Sequence, residues 1–187
     1  METFFNNIDV REELELFLGQ NKIKAFYIRN DRNTRCKCFD QLHKDGNPNC
    51  IVCGGSGFLS SIKLIEVFGN PTSSDDMLKM SGEKRTELGD ANLISKVFYF
   101  DHKTLPNAGD RIIIVGYDKK GLPTEVKETY TINLVREIRG YKGRIEYYKV
   151  LCRSSPQSLN MDQKRLNKVP NYHKQKLMKG VRYQWGN

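Results

Sequence analysis

Histidine, tryptophan and proline are scarce in this chain of 187 residues, with three, one and six copies. The histidines His43, His102 and His173 lie far apart and have no motif partners. Asp101-His102 is the one adjacent acid–histidine pair, and adjacent strand residues point to opposite faces, so it reads as a surface turn. No Gly-x-x-x-x-Gly-Lys-Ser/Thr phosphate loop occurs; Gly54–Gly57 lacks the lysine. Gly54-Gly55-Ser56-Gly57 also has the wrong spacing for a nucleophile elbow. No residue set argues for catalysis, so a non-enzymatic protein is expected. No apolar run approaches the roughly eighteen residues of a spanning helix, so no membrane is expected. Met1–Leu18 lacks the basic flank, apolar core and cleavage site of a secretory signal. A reducing compartment follows as the expectation, and there cysteines favour metal over disulfide.

Cysteine is what the chain concentrates. Four of five fall between Thr34 and Phe58, as Cys36-x-Cys38 and Cys50-x-x-Cys53. The turn formers Asp45, Gly46, Asn47, Pro48 and Asn49 separate the pairs, and Gly54, Gly55, Ser56 and Gly57 follow. Four thiolates at about 2.3 Å satisfy tetrahedral Zn²⁺. Glycines suit the second pair, because amides turning toward sulfur need positive φ. Two disulfides, a redox dithiol at Cys50/Cys53 and an iron–sulfur cluster are the competing readings. Nothing marks the chain as secreted, Gly-Gly-Ser-Gly starts a helix poorly, and cluster spacings usually differ. Structural zinc on Cys36, Cys38, Cys50 and Cys53 is therefore the expectation. The closed shell leaves no position for a catalytic water. His43 lies in the loop and could replace one cysteine, but reads first as an exposed loop residue, and Cys152 reads as buried packing rather than as a fifth ligand.

The formal charge is +9. From Pro156 onward seven Lys/Arg face one acid, Asp162, a balance of +6 over 32 residues. The body is nearly neutral. A basic tail can contact nucleic acid phosphates nonspecifically or dock on an acidic protein surface.

In chain order, Asp9–Leu18 reads as a short helix with an apolar stripe of Val10, Leu14, Phe17 and Leu18. Alternation marks strands at Lys22–Arg29, Leu59–Phe68 and Leu93–Phe100. Arg111–Gly116 reads as a strand buried on both faces. Val126–Ile138 places Tyr130, Ile132, Leu134 and Ile138 on one face, and Arg144–Arg153 follows a hairpin loop. Asn70–Asp90 is a long polar loop, functional or mobile. The expected fold is mainly β: a small β-barrel or sandwich over 1–155 with one N-terminal helix and a zinc knuckle inserted at 34–58. An extended basic C-terminal tail follows at 156–187. Its anchors Leu159, Val169, Tyr172, Tyr183 and Trp185 suggest that it orders on a partner or a neighbouring copy.

Two stretches carry a family resemblance. One is Arg35-Cys-Lys-Cys-Phe-Asp40, then Gly46-Asn-Pro-Asn49, then Cys50-Ile-Val-Cys-Gly-Gly-Ser-Gly-Phe58. The other is Leu105-Pro-Asn-Ala-Gly-Asp-Arg-Ile112 with Tyr130–Ile138 and Arg139–Arg153. Together they resemble the neck proteins of tailed bacteriophages, in particular head-closure (stopper) proteins of the head-to-tail connector. The resemblance covers roughly residues 20–155. It implies a homo-oligomeric ring in the virion neck, assembled in the host cytoplasm. Portal and adaptor proteins would sit above the ring, and a tail terminator or tail tube below. Such a ring retains packaged DNA, docks the tail and performs no reaction. Asn70–Asp90 is then a candidate channel- or partner-facing loop. A tail terminator or other neck component is the nearest alternative. Cys50-Ile-Val-Cys-Gly-Gly-Ser-Gly57 is also similar to one repeat of the J-protein chaperone zinc domain, but Cys36-x-Cys38 departs from that pattern and no His-Pro-Asp occurs. A zinc-ribbon nucleic-acid binder is the remaining class.

Overall fold

The fold is known from a computed structural model that describes residues 11–12, 15–16, 22–71 and 95–185. Its strands are β1 (Lys22–Arg35), β2 (Phe39–Asp40), β3 (Asp45–Gly46), β4 (Phe58–Pro71), β5 (Ser95–Asp101), β6 (Arg111–Tyr117), β7 (Pro123–Arg139), β8 (Ile145–Ser154) and β9 (Tyr183–Gln184). The order β1-β6-β7-β8-β5-β4 returns to β1 through a β1–β4 ladder, which closes a six-stranded barrel. The barrel strand pairs are antiparallel, and β9 adds a short outer pairing at Ser61 and Ile62 of β4.

Period-two alternation fills the interior. Ala25, Tyr27, Ile65, Val67, Phe98, Ile112, Tyr130 and Val150 form one buried cluster. The intervening residues of β1 and β6 are apolar too. Phe26, Ile28, Ile113 and Val115 point the other way and are equally buried. Such a sheet needs a second layer on its outer face, because exposed apolar area is unfavourable by about 25 cal/mol per Å².

The C-terminal residues supply that layer, and the expected extended tail is corrected. After a 3₁₀ turn at Pro156–Ser158, α1 (Leu159–Lys168) and α2 (Asn171–Met178) fold back onto the barrel. Leu166, Val169, Leu177 and Trp185 join Phe26, Ile28, Ile62, Ile113 and Val126 in a second buried cluster. The spacing 162, 165, 166 and 169 is one helical stripe, and Pro170 ends it. The segment therefore orders on its own barrel, and the division at 155/156 does not separate two cores.

The β7 face also differs from expectation. Ile132 pairs with Cys152 and Leu134 with Leu151, so Asn133 is an extra residue that reverses the alternation. Leu134 turns outward, 39% exposed, while Val135 packs on the interior cluster. Of the expected helix Asp9–Leu18, Arg11, Glu12, Glu15 and Leu16 are described and helical; the rest lies outside the described residues. Asn70 and Pro71 belong to β4, and the remainder of the loop expected over Asn70–Asp90 also lies outside them. Among the described residues no helix is long and apolar enough to cross a membrane.

Candidate metal centre

The β1–β4 hairpin carries the cysteines on its connecting loop, where Arg35 pairs with Phe58 and the ladder resumes at Asp31 with Leu59. The amide of Cys36 donates to the Gly57 carbonyl at 2.8 Å and that of Phe39 to Cys36 at 3.0 Å, a tight turn around the first pair. On the second pair, Cys50 N donates to Asn47 O at 2.9 Å and Gly54 N to Cys50 O at 2.8 Å. The miniature sheet β2–β3 lies between them, with Phe39 opposite Gly46.

Two glycines let the turns meet. A Cβ on Gly46 would stand 2.2 Å from the Gly57 nitrogen. Gly57 has φ +74° and passes within 2.7 Å, by the same measure, of the Phe39 ring. The sequence pointed to Gly54, Gly55 and Gly57 for positive φ, which all three adopt. It did not single out the close approach of Gly46.

All four sulfurs converge. The Sγ atoms of Cys36, Cys38, Cys50 and Cys53 lie within 4.8 Å of one another. Cys36 and Cys50 are 3.8 Å apart, Cys38 and Cys53 3.4 Å. A tetrahedron of sulfurs about 2.3 Å from its centre has edges of about 3.8 Å. A disulfide needs about 2.05 Å, and all five cysteines are free thiols. The donor set can hold a metal ion. Burial, then the Cys53 and Cys50 thiols, push Cys38 up to about 12. Burial opposes ionisation of Cys50 as well, but the amides of Cys53 and Val52 with the Cys38 and Cys53 thiols outweigh it and draw Cys50 down to about 7. Amide dipoles therefore favour thiolate on the second turn.

His43 is outside this shell. Its Nδ1 meets Asp40 Oδ2 at 2.6 Å and its side chain is 79% exposed. Cys152 lies in the barrel interior, where burial raises its thiol strongly. Asp101, the last residue of β5, and His102, the first of the turn after it, do meet, at 2.5 Å.

Beneath the second turn lies a charged group that the sequence analysis did not single out. Arg165 of α1 is 1% exposed and donates from Nη2 to Val52 O at 2.9 Å and to Ser60 Oγ. Its guanidinium stacks on Trp185, 3.9 Å from the ring centroid. Asp162 lies one turn earlier and pairs with Arg111 Nη1 at 2.8 Å, with Arg165 Nη1 at 3.9 Å. A Cβ on Gly54 would meet Arg165 Nη1 at 2.8 Å and Arg111 Nη2 at 2.9 Å, so both guanidiniums abut the residue after Cys53. Burial lowers Arg165 to about 10, helped by Arg111 and opposed by Asp162, Cys53 and Cys50. Burial also raises Asp162, against the pull of Arg111 and Arg165. The available signal was the 162/165/166/169 stripe; its partners, 51 and 113 positions away for Arg111–Asp162 and Val52–Arg165, have no local signature.

No protein-family model and no curated protein sequence matches this chain.

Proposed function

We propose that this chain is a non-enzymatic structural protein of a phage head-to-tail connector, a head-closure (stopper) ring subunit braced by one structural zinc. The reading rests on the resemblance of its two motif stretches, and one observation supports it most. Those stretches are distant in sequence but adjacent in the fold. Asn30 Nδ2 and Arg32 Nη2 donate to the Gly109 and Ala108 carbonyls, joining the knuckle end of β1 to the turn Pro106–Asp110. Tyr27 donates its hydroxyl to the buried Asp110, whose other oxygen accepts the Asn30 amide at 3.0 Å. The two stretches also meet directly, since a Cβ on Gly54 would stand 2.9 Å from Arg111 Nη2. Zinc is the proposed ion because four thiolates and no open position suit it. Cys36, Cys38, Cys50 and Cys53 would hold it, and it would supply a cross-link, not a Lewis acid.

In this reading copies of the chain assemble into a ring in the virion neck, with portal and adaptor proteins on one side and a tail terminator or tail tube on the other. A tail terminator is the nearest role within the same class. A nucleic-acid-binding function has its own supporting feature: Arg29, Arg32 and Arg182 outnumber the one acid, Asp31, in the lining of one surface groove. Sedimentation and negative-stain microscopy of the purified full chain, with DNA binding measured across salt, separate the two. Closed rings without salt-steep DNA binding are expected. A chain that stays monomeric at every concentration, yet binds DNA with a steep salt slope, overturns the connector role.

A further inference from the structure

We infer that Arg165 is an outer-shell residue of the metal centre, and that metal binding and docking of the C-terminal segment onto the barrel are thermodynamically coupled through it. The inference rests on the metal part of the reading above and not on ring assembly.

Three observations meet at this residue. First, Arg165 is almost fully buried, yet its Nε and Nη1 have no hydrogen-bond acceptor. A buried guanidinium with idle donors is costly unless an anion compensates it. Secondly, the charge count beneath the knuckle is unbalanced. Arg111 and Arg165 contribute two positive charges, and Asp162, 1% exposed, contributes one negative charge. Thirdly, the idle side faces the second cysteine turn. Nη1 lies against Gly54, next to Cys53, while Nη2 holds the carbonyl of Val52, between Cys50 and Cys53.

A divalent ion on four thiolates carries a net double negative charge. In low dielectric that charge more than offsets the one positive charge that Asp162 leaves unbalanced. Outer-shell groups of this kind fix ligand orientation and tune the affinity of a site. Arg165 is a positioning residue here, because it acts through the Val52 carbonyl and the thiolate charge and not as a ligand.

The same side chain anchors the C-terminal segment. It belongs to α1, stacks on Trp185 and bonds Ser60 of β4, while the Trp185 amide donates to the Ser60 carbonyl at 3.2 Å. Once the metal leaves and the sulfurs take up protons, the thiolate charge is lost. Arg165 then stays in a layer with Trp185, Leu166 and Ile62, with only Asp162, which it shares with Arg111, as its ionic partner. The relief open to it is undocking of α1, α2 and β9. By reciprocity, whatever factor the metal contributes to docking, docking returns to metal affinity.

Trp185 is the one tryptophan of the chain and is 5% exposed, so its emission reports docking directly. The experiment loads the full chain with Zn²⁺ or Cd²⁺, then removes the ion with a competing chelator. Trp185 emission and hydrogen exchange over 156–185 are followed together. On metal removal the emission moves to longer wavelength, and exchange in α1 and α2 rises while β7–β8 stays protected. In Arg165→Met, which keeps the packing volume and removes the charge, the metal binds roughly 10–100-fold more weakly. In that variant Trp185 no longer responds to the ion. A wild-type chain that binds and releases metal with unchanged Trp185 emission and exchange overturns the coupling and leaves the metal site standing. So does an Arg165→Met chain of unchanged metal affinity. A chain that takes up neither ion removes the metal reading itself.

Discussion

Arg165 Nη2 donates a 2.9 Å hydrogen bond to the carbonyl of Val52, 113 positions earlier in the chain. This contact joins the C-terminal layer to the cysteine turn. It makes the knuckle part of the barrel's outer core and not an appendage of a hairpin. The knuckle joins the end of β1 to the start of β4, and α1 rests on its second turn through Arg165. Removal of either partner is felt at the other.

Cysteine substitutions separate ligand from packing roles. Cys53→Ser breaks the tetrathiolate set at its most buried member, 0% exposed. Stoichiometric metal is lost and the thermal midpoint falls. Cys152→Ser places a hydroxyl in the barrel interior, which is about 1–3 kcal/mol destabilising. Metal content in that variant stays at the wild-type value. Metal analysis beside thermal unfolding checks both.

Glycine substitutions test the close approach of the two cysteine turns. Gly46→Ala drives a Cβ to 2.2 Å from backbone, where no flexible side chain can yield. Gly121 has φ +73° with nothing within 4 Å of its added Cβ, so Gly121→Ala bears only the left-handed strain of about 1–2 kcal/mol. Urea unfolding should show Gly46→Ala as clearly the more destabilised, with metal affinity lowered in that variant alone.

The outer layer carries real stability. Leu177 is 0% exposed in the cluster with Phe26, Ile28 and Trp185. Leu177→Ala removes buried methyl groups and leaves a cavity, at about 2–5 kcal/mol. A ΔΔG under about 0.5 kcal/mol from denaturant unfolding would contradict a packed C-terminal layer.

A pH dependence follows from Glu146. Arg144 hydrogen-bonds its carboxyl at 2.8 Å, and with Arg11 outweighs burial to hold it below the ordinary 4.5. A depressed carboxyl contributes stability above its unfolded value and loses it as pH falls through the folded one. Protection of the residues around Arg11 and Ile145, where Arg11 Nη2 donates to the Ile145 carbonyl at 2.6 Å, should weaken as pH drops below 4.5. Glu146→Gln should lose that slope. Hydrogen exchange of both proteins at matched pH removes any common effect of acid on the thiolates.

The sequence made the barrel and the cysteine set legible because both are local signals. Alternation within Lys22–Arg29 and RIIIVG marked strands, and the two close Cys pairs with their glycines marked the turns. RIIIVG also showed burial on both faces, since Ile112 faces the interior and Ile113 the outer layer. What covered that outer face was not legible. Leu166, Val169 and Leu177 look like scattered anchors until Asp162 and Arg165 are counted as buried members of the helical stripe, and charged residues are rarely counted so. The bulge at Asn133 was hidden for a similar reason: Leu134 and Val135 are both apolar, so either register reads as a good strand. Arg111 and Gly46 have meaning only once distant segments touch.

Native mass spectrometry of the full chain, purified without added metal and paired with elemental analysis, tests the centre of this account most directly. One zinc per chain with all five thiols reduced is the predicted result. A folded, metal-free chain, or one with Cys36–Cys50 or Cys38–Cys53 oxidised to disulfides, would contradict it.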